Sequence, residues 1–461
     1  MKENTLKKPL QVIILAAGKG TRMYSSLPKV LHMLAGKTLI EHVIDSAEAL
    51  KAESIALIYG HGGEQVKKTL KNRQLSWYEQ KEQLGTGHAV KQAITIIDDK
   101  AQVLILYGDV PLLGAATLNK LLLEKKDQAM AILTANLADP EGYGRIVRSS
   151  DNVIEKIVEQ KDANNKEQEI KEINSGVMVV DGNKLKSWLD KIGNDNAQGE
   201  YYLTDLIELA VAEGEQVNSY IVADNKEIEG INNKIQLAEL EREYQRQQAY
   251  KLMSQGVTLK DPSRFDLRGQ IEVGQDVTID INVIIEGQCK IGNNVTVGAN
   301  SVLKNMQIGD NVEILQNCLL EDSVVKADCH IGPFARLRPE TVLEEGAKVG
   351  NFVEIKKAQI GQGSKVNHLS YIGDTHMGDN VNIGAGTITC NYDGAYKHLT
   401  EIGDNAFVGS NSALVAPIKI GAGATVGAGS TLSKNAQAEK LTFSRAEQRT
   451  INGWQRPRKN K

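Results

Sequence analysis

Residues 273–303 read VGQDVTIDINVIIEGQCKIGNNVTVGANSVL, and an aliphatic residue recurs there at every sixth position. This period fits neither the 3.6-residue turn of an α-helix nor the two-residue alternation of a β-strand. It is typical of a parallel β-helix, in which each hexapeptide forms one side of a triangular coil. Glycine often follows the aliphatic residue and permits the turn at a corner. The aliphatic series is Val273, Ile279, Ile285, Ile291, Val297 and Leu303.

The same ladder of residues continues, with a few short steps, almost to the end of the chain. Twenty-seven ladder positions at three per coil predict nine coils. At a strand spacing of ~4.8 Å, nine coils make a column about 43 Å long. The later ladder positions are Ile308, Ile314, Leu320, Val325, Ile331, Leu337, Leu343, Val349, Ile355, Ile360, Val366, Ile372, Met377, Ile383, Thr389, Ile402, Val408, Leu414, Ile420, Val426 and Leu432.

One segment interrupts the ladder. Cys390–Glu401 reads CNYDGAYKHLTE and has no aliphatic residue in phase. A long loop that leaves a regular solenoid is a frequent place for function. We therefore expect functional residues in or beside this loop.

The first half of the chain has a different pattern. Leu10–Ala16 and Val103–Tyr107 are near-continuous apolar runs, as expected of strands that helices cover on both faces. Thr38 and Glu41 have the spacing of a capping box at the start of a helix, and Ala115–Lys125 has helical spacing. This alternation predicts an open, mostly parallel α/β sheet of the Rossmann-like kind.

A charged segment, Ile235–Met253, separates the two halves and has one apolar stripe formed by Leu237, Leu240, Tyr244 and Leu252. It predicts a single helix that joins the domains. We expect a first domain at residues 1–232, a linker helix at 233–256, a β-helix at 257–441 and a tail at 442–461.

Bulk composition limits the possible classes of protein. A chain of 461 residues exceeds what one hydrophobic core usually organises. The net charge of −4 gives no electrostatic case for binding nucleic acid or membranes. The apolar run Val12–Ala17 is too short for a secretion signal or a membrane span. We expect a cytoplasmic protein without a membrane span.

Three of the four cysteines have a simple structural interpretation. Cys289, Cys318 and Cys329 each precede a ladder residue by two positions, where small residues stand in other coils. We expect buried thiols that fill a narrow core rather than a redox or metal site. The role of Cys390 stays open.

A glycine-rich loop follows the first predicted strand. It reads Gly18-Lys19-Gly20-Thr21-Arg22-Met23 and is followed shortly by Lys29. Such a loop can turn backbone N–H groups towards phosphate oxygens, and the nearby cations can neutralise them. The spacing matches neither a Walker A loop nor a dinucleotide-binding fingerprint.

Asp109 follows the second predicted strand. Ligands of open α/β sheets bind beyond the carboxyl ends of the strands, so Asp109 and the glycine loop could share one crevice. An aspartate there suits a Mg²⁺ that protein and phosphates hold together. It is equally consistent with an ordinary turn-forming residue before Val110-Pro111.

In the β-helix, His368 also has two possible interpretations, one structural and one catalytic. It stands two positions after the ladder residue Val366. A histidine of unspecified surroundings is more often structural, but neutral histidine is also the usual general base for an amine at neutral pH.

Longer motifs add a resemblance. Leu15-Ala-Ala-Gly-Lys-Gly-Thr-Arg-Met23, followed by Leu27-Pro-Lys29, resembles the signature of the sugar-nucleotide pyrophosphorylases. Further motifs in the first half of the chain resemble the bacterial bifunctional branch of that family, whose members acetylate glucosamine-1-phosphate and then uridylate the product. These motifs are Gln83-Leu-Gly-Thr-Gly-His88, Tyr107-Gly-Asp109, Gly142-Tyr-Gly-Arg145, Asn174-Ser-Gly176 and Glu229-Gly-Ile-Asn-Asn233.

The resemblance implies roles for residues of the first domain. Arg22 and Lys29 would act on the triphosphate of UTP, and Asp109 with Asn232 would ligate Mg²⁺. Gly144, Glu159, Asn174 and Thr204 would contact the amino sugar. The implied nucleotide contacts are Leu15, Ala16, Ala17, Gly18, Lys29, Gln80, Gly85, Thr86, Tyr107, Gly108 and Asp109.

The β-helix shares the resemblance. Its motifs are Arg336-Leu-Arg338-Pro, Glu354-Ile-Lys356, His368-Leu-Ser-Tyr371-Ile-Gly, Asn382-Ile-Gly-Ala385, Asn391-Tyr-Asp-Gly394 and Phe443-Ser-Arg445. They imply that His368 is the base for acetyl transfer from acetyl-CoA. Arg338 and Lys356 would bind the sugar phosphate, and Tyr371 and Asn382 would orient the sugar. The implied acetyl-CoA contacts are Ala385, Asn391, Tyr392, Ser410, Ala428 and Arg445.

The family resemblance also implies a left-handed coil, a homotrimer with sites between subunits, and a product that feeds peptidoglycan and lipopolysaccharide synthesis. Two alternatives compete with it. One is a pyrophosphorylase with a merely regulatory β-helix, against which the complete second motif set argues. The other is a non-enzymatic scaffold, which would be expected to have lost Arg22 or Asp109; both are present.

Overall fold

The computed structural model describes residues 8–457 and 459. The chain forms two compact units, and the division falls between Tyr244 and Gln245, inside the helix Lys234–Ser254. The predicted domain boundaries stay predictions, and the beginning of the first domain and the last residues of the tail lie outside the described range.

The first unit, called the head below, is built on one nine-stranded sheet. Its main path runs in the order β9-β5-β8-β4-β1-β2-β3, and β6 and β7 form a hairpin against β8. In chain order the strands are β1 Leu10–Ala16, β2 Ser54–Tyr59, β3 Ser76–Glu79, β4 Gln102–Tyr107, β5 Met130–Asn136, β6 Arg145–Arg148, β7 Ile154–Val158, β8 Glu172–Asp181 and β9 Val217–Ile221.

Most neighbouring strands of the main path are parallel, as the sequence predicts. Strand β1 pairs in parallel with β2 and β4, and β9 pairs in parallel with β5. Strand β8 is the exception, because it is antiparallel to both β4 and β5. The apolar runs gave no direction for this strand, which follows the β6–β7 hairpin.

Helices lie on the sheet and join its strands. The predicted capping box is present: the Thr38 side chain accepts from the Glu41 N–H, and the Glu41 carboxylate accepts from the Thr38 N–H. The helices are α1 Leu39–Ala49, α2 Gly63–Thr69, α3 Thr86–Lys91, α4 Ala115–Glu124, α5 Asn165–Gln168, α6 Gly182–Leu189, α7 Asp205–Ala212 and α8 Lys234–Ser254. Short 3₁₀ turns occur at Thr21–Met23, Lys29–Leu31, Ile94–Ile96, Asn225–Ile228 and Pro262–Arg264.

The second unit, called the column below, is the predicted parallel β-helix. Every ladder residue is buried except Val273, which is partly buried against the same core. One sheet contains Thr258–Leu259, Thr278–Ile279, Thr296–Val297, Glu313–Ile314, His330–Ile331, Lys348–Asn351, Lys365–His368, Asn382–Ile383, Phe407–Val408, Thr425–Val426 and Leu441–Thr442.

A second, folded sheet supplies the other two sides of the coils. Its strands are Phe265–Val273, Val283–Ile291, Val302–Lys304, Gln307–Ile308, Leu319–Glu321, Val324–Val325, Arg336–Leu337, Val342–Leu343, Glu354–Ile360, Tyr371–Met377, Ile388–Cys390, Thr400–Ile402, Ala413–Val415, Ile418–Ile420 and Thr431–Leu432.

The cysteines of the column behave as predicted. Cys289, Cys318 and Cys329 are buried free thiols, and burial raises the pKa of each, for Cys329 to about 11. Cys390 is a half-buried free thiol. No helix among the described residues is long and apolar enough to span a membrane.

Candidate active sites

The head contains a pocket at the carboxyl ends of β1 and β4. These strands are adjacent and parallel, with Leu15 opposite Tyr107, and the Gly108 N–H donates to the Leu15 carbonyl over 2.9 Å. The glycine loop and Asp109 therefore leave the sheet side by side. The pocket is lined by Leu15, Ala16, Ala17, Gly18, Lys29, Val30, Gln80, Gln83, Gly85, Thr86, Ala89, Tyr107, Asp109 and Glu200.

Charged and amide groups meet at one end of this pocket. The Lys29 ammonium lies 2.5 Å from Asp109 Oδ2 and 3.2 Å from Asn232 Oδ1. The Arg22 guanidinium donates to the same Asn232 oxygen over 2.9 Å. The Ile231 N–H donates to the Asp109 carbonyl and fixes this segment beside the strand end. The structure thus brings together all four residues predicted for triphosphate and metal binding.

Hydrogen bonds between uncharged groups hold the residues that were predicted to contact the nucleotide. Gln80 is buried, and its amide donates to the Gly85 carbonyl over 3.1 Å. The Thr86 hydroxyl accepts the Leu203 N–H over 3.1 Å. A Cβ on Gly85 would lie 2.5 Å from the Tyr201 carbonyl oxygen, so the chain passes too closely there for any larger residue.

The predicted sugar contacts form a second group. The Thr204 hydroxyl donates to Glu159 over 3.1 Å, and the Asn174 N–H donates to the Gly144 carbonyl over 2.8 Å. Burial raises the pKa of Glu159, which the Thr204 hydrogen bond partly offsets. Burial, together with the charges of Glu159 and Asp109, raises the pKa of Tyr107.

A cationic cluster lies on the column. Arg338 and Lys356 occupy the same position in consecutive coils, because Arg336 pairs with Glu354 in parallel register. Arg338 donates to the Glu354 carboxylate over 2.8 Å. Lys397, from the loop that interrupts the ladder, is a hydrogen-bond partner of Lys356, and this contact, then burial, then the positive charges of Lys397 and Arg338 lower the pKa of Lys356. Sequence reasoning missed Lys397, since no spacing relates it to the ladder.

The next coil adds polar groups to this cluster. The Asn391 amide donates to Asp374 over 2.5 Å and lies 3.5 Å from the Tyr371 hydroxyl. Asn391 and Asp374 are buried, whereas Tyr392 is exposed. Asn382 lies on the neighbouring sheet, in the position that Lys365 and Phe407 occupy in adjacent coils.

The loop itself is closed by its own contacts. The Asp393 carboxylate accepts from the Ala395 and Tyr396 N–H groups and lies 2.6 Å from His398 Nε2. These interactions lower the pKa of Asp393, with the His398 contact the largest cause. Tyr392 and Lys397 pair as an isolated bridge across the loop, which sets Lys397 beside the column.

His368 stands at a corner of the column. Its Nδ1 lies 2.6 Å from Asn351 Oδ1, one coil away. An amide oxygen only accepts, so Nδ1 carries the proton of the neutral ring and Nε2 is free to accept one.

The same corner continues through the predicted acetyl-CoA contacts. Successive coils are joined by N–H donation from Gly386 to the His368 carbonyl, from Asn411 to Ala385 and from Gly429 to Ser410. Arg445 donates to the Ala428 carbonyl over 2.9 Å. Residues at this corner are Asn351, His368, Ala385, Ser410 and Ala428.

Comparisons with known proteins cover nearly the whole chain. It is 54% identical over 452 residues to the bifunctional protein GlmU of Idiomarina loihiensis, covering 98% of this chain and 99% of that protein. It is 56% identical over 448 residues to the bifunctional protein GlmU of Cellvibrio japonicus, covering 97% and 99%. The chain belongs to the GlmU family.

Family models match the two units separately. The MobA-like NTP transferase domain matches residues 12–167, the GMPPB C-terminal domain matches 267–349, and the six-repeat bacterial transferase hexapeptide matches 399–434. A solved UDP-glucose pyrophosphorylase complexed with UDP-glucose is 18% identical, with a TM-score of 0.43, over 52% of this chain and 99% of that one.

Membership of the GlmU family confirms the bifunctional interpretation. The chain is an enzyme with nucleotidyltransferase and acetyltransferase activities, which make UDP-N-acetylglucosamine in two steps. The monofunctional and non-enzymatic alternatives are wrong for this chain.

Proposed function

We propose that the head pocket performs uridylyl transfer and that the cationic face and corner of the column perform acetyl transfer. The observation that supports this assignment is that several of the residues predicted for each activity lie together within one unit. Lys29, Asp109 and Asn232 meet in the head, whereas Arg338, Lys356 and Tyr371 meet on the column.

In the head, the sugar phosphate oxygen attacks the α-phosphorus of UTP. A bond forms between that oxygen and the α-phosphorus, the bond to the bridging oxygen of the β-phosphate breaks, and pyrophosphate leaves. Such a reaction needs positioning and charge neutralisation rather than a covalent nucleophile. Arg22 and Lys29 supply the positive charge, and Gln80, Gly85 and Thr86 hold the uridine.

Two residues would hold a Mg²⁺ in this pocket. Asp109 Oδ2 and Asn232 Oδ1 both lie within hydrogen-bonding distance of the single Lys29 ammonium, so their oxygens already converge on a point that favours a cation. Hard oxygen donors are what Mg²⁺ prefers, and phosphates complete its coordination. When bound, the ion stabilises charge on the phosphates.

On the column, His368 is the general base. Asn351 holds the proton on Nδ1, which leaves Nε2 free to accept one. The amine nitrogen of glucosamine-1-phosphate bonds to the acetyl carbon, and Nε2 takes the proton that this amine loses. The carbon–sulfur bond of the thioester breaks, and the departing sulfur takes that proton from His368 Nε2, so CoA leaves as the thiol. Arg338, Lys356 and Lys397 neutralise the sugar phosphate, and Tyr371 with Asn382 orients the sugar.

The corner of the column that carries His368 would also bind acetyl-CoA. Small residues leave room for the cofactor chain along the coils that follow His368, and Arg445 ends this path with a positive charge. The proposed contacts are Ala385, Asn391, Tyr392, Ser410, Ala428 and Arg445.

A homotrimer would complete the acetyl site. Phe334, Phe352 and Leu369 are exposed at one corner with φ of 57°, 56° and 51°, and the two phenyl rings stack at 5.1 Å. Earlier coils have asparagine at this corner, which tolerates positive φ. Bulky apolar residues in this strained conformation are expected to gain stability by packing against a second copy.

Because Leu369 directly follows His368, a subunit contact at this corner would lie beside the proposed acetyl-transfer site. Replacing Phe352 by asparagine removes the apolar side chain and relieves the backbone strain. We expect Phe352→Asn to dissociate the trimer in sedimentation and to reduce acetyl transfer while uridylyl transfer persists. An intact trimer with full acetyl transfer would refute the placement.

The compartment is the cytoplasm on this proposal. All four cysteines, each within the described range, are free thiols, as suits a reducing compartment. The experiment for the function as a whole is to supply UTP, Mg²⁺, acetyl-CoA and glucosamine-1-phosphate together. CoA should appear first and pyrophosphate only after it, and pyrophosphate without acetyl-CoA would contradict the order of the steps.

A further inference from the structure

A buried arginine lies behind the proposed sugar contacts of the head. Arg145, the first residue of β6, is only 2% exposed. It forms no ion pair with a carboxylate of the described residues; its guanidinium instead donates to the Tyr143 carbonyl and, over 2.8 Å, to Gln160 Oε1. Burying a charge among neutral partners is costly. A merely structural position would be filled more cheaply by an apolar residue.

The neutral partners of Arg145 connect two segments. Gln160 Oε1 also accepts the Gly142 N–H over 3.3 Å. The guanidinium and the Gln160 amide together therefore close the 142–144 turn against the end of β7. The planar, forked guanidinium holds its two donated hydrogen bonds in a fixed geometry, whereas the donors of a lysine ammonium rotate on a flexible stem.

Both segments end in a proposed sugar contact. Gly144 directly precedes Arg145, and Glu159 directly precedes Gln160. A Cβ on Gly144 would lie 3.5 Å from the Glu159 carboxyl carbon, so the two contacts face each other across a short gap. A displacement of the turn would change this spacing.

We propose that Arg145 and Gln160 are positioning residues that set the distance between Gly144 and Glu159, and thereby determine affinity for the amino sugar phosphate in uridylyl transfer. The inference rests on the proposed function of the head pocket. On this proposal both residues act through Gly144 and Glu159 rather than by contacting the substrate. We call the hydrogen bonds of Arg145 and Gln160 to the 142–144 turn the clamp. The proposed nucleotide contacts Gln80 and Thr86 lie on other segments, and the clamp does not include them.

The test compares Gln160→Met with Gln160→Glu. Methionine fills similar volume but accepts neither hydrogen bond, whereas a carboxylate accepts both. We expect Gln160→Met to raise KM for N-acetylglucosamine-1-phosphate about tenfold, the size of one lost charge-assisted hydrogen bond. KM for UTP and the rate of acetyl transfer should stay unchanged, and Gln160→Glu should restore the sugar KM.

Gln168→Met is the matched control, because Gln168 is an exposed glutamine of the same segment. The clamp is refuted if Gln160→Met and Gln160→Glu give the same sugar KM, or if KM for UTP rises in parallel. Glu159→Ala separates this failure from a failure of the proposed site. If Glu159→Ala leaves the sugar KM unchanged, the sugar site itself is misplaced; if it raises KM while Gln160→Met does not, only the clamp is wrong.

Discussion

Lys29 occupies the position where the proposed Mg²⁺ ligands converge, and this has a measurable consequence. Its ammonium bonds to Asp109 at 2.5 Å, and the two side chains are only 14% and 19% exposed. A divalent cation that enters without nucleotide must therefore displace Lys29. With UTP present, the triphosphate gives Lys29 another anion to bind. We expect the metal to bind weakly to the free enzyme for this reason.

Lys29→Met removes the competing ammonium and keeps most of the side-chain volume. A hydrogen bond to a charged group contributes about 1.5–3 kcal/mol, and each 1.4 kcal/mol is about a factor of ten in affinity. Mn²⁺ should therefore bind Lys29→Met roughly ten to one hundred times more tightly than the parent chain in the absence of nucleotide. Electron paramagnetic resonance of free Mn²⁺ measures this directly.

Lys71→Met, at an exposed lysine, provides the control and should leave Mn²⁺ affinity unchanged. Asp109→Asn should abolish the gain when combined with Lys29→Met. If Lys29→Met binds Mn²⁺ no more tightly than the parent chain, Lys29 does not compete for the metal ligands and the proposed site is wrong.

Two further predictions follow from single positions. A methyl group on Gly373 would overlap the Tyr371 hydroxyl and lie 2.8 Å from the Asn391 amide. Gly373→Ala should therefore lower acetyl transfer at least tenfold. The control is Gly114→Ala, which has open space around it and should change neither activity. Burial, and then Glu208 and Glu159, raise the pKa of Asp205 from 3.8 to about 6. Between these values the folded chain holds a proton that the unfolded chain has lost, so stability falls as pH rises. Asp205→Asn should therefore raise the melting temperature of the head at pH 8 and lose this advantage towards pH 4; an equal effect at both would contradict the assignment.

The sequence was most informative where one chain segment repeats its own pattern. The six-residue ladder predicted the column correctly because every coil buries the same position, and only Val273, in the first coil of the series, is less than fully buried. The capping box at Thr38 and the apolar strands β1 and β4 were likewise local signals. They placed the glycine loop and Asp109 at one sheet edge.

Contacts between segments far apart in the sequence could not be predicted from such local patterns. The antiparallel direction of β8 depends on how the chain returns after the β6–β7 hairpin, which no periodicity encodes. Lys397 reaches Lys356 from an irregular loop, and Arg145 meets Gln160 only because two strands of that hairpin pair. A buried arginine looks like a surface charge in a sequence until its surroundings are known.

The account depends most on the separation of two chemistries within one chain. The direct measurement follows CoA and pyrophosphate release by Arg22→Ala and His368→Ala, each purified as a folded full-length chain and supplied with each step's own substrates. Arg22→Ala should lose pyrophosphate release and keep CoA release, and His368→Ala should do the reverse. Loss of both products in either folded variant would contradict the assignment of the two sites.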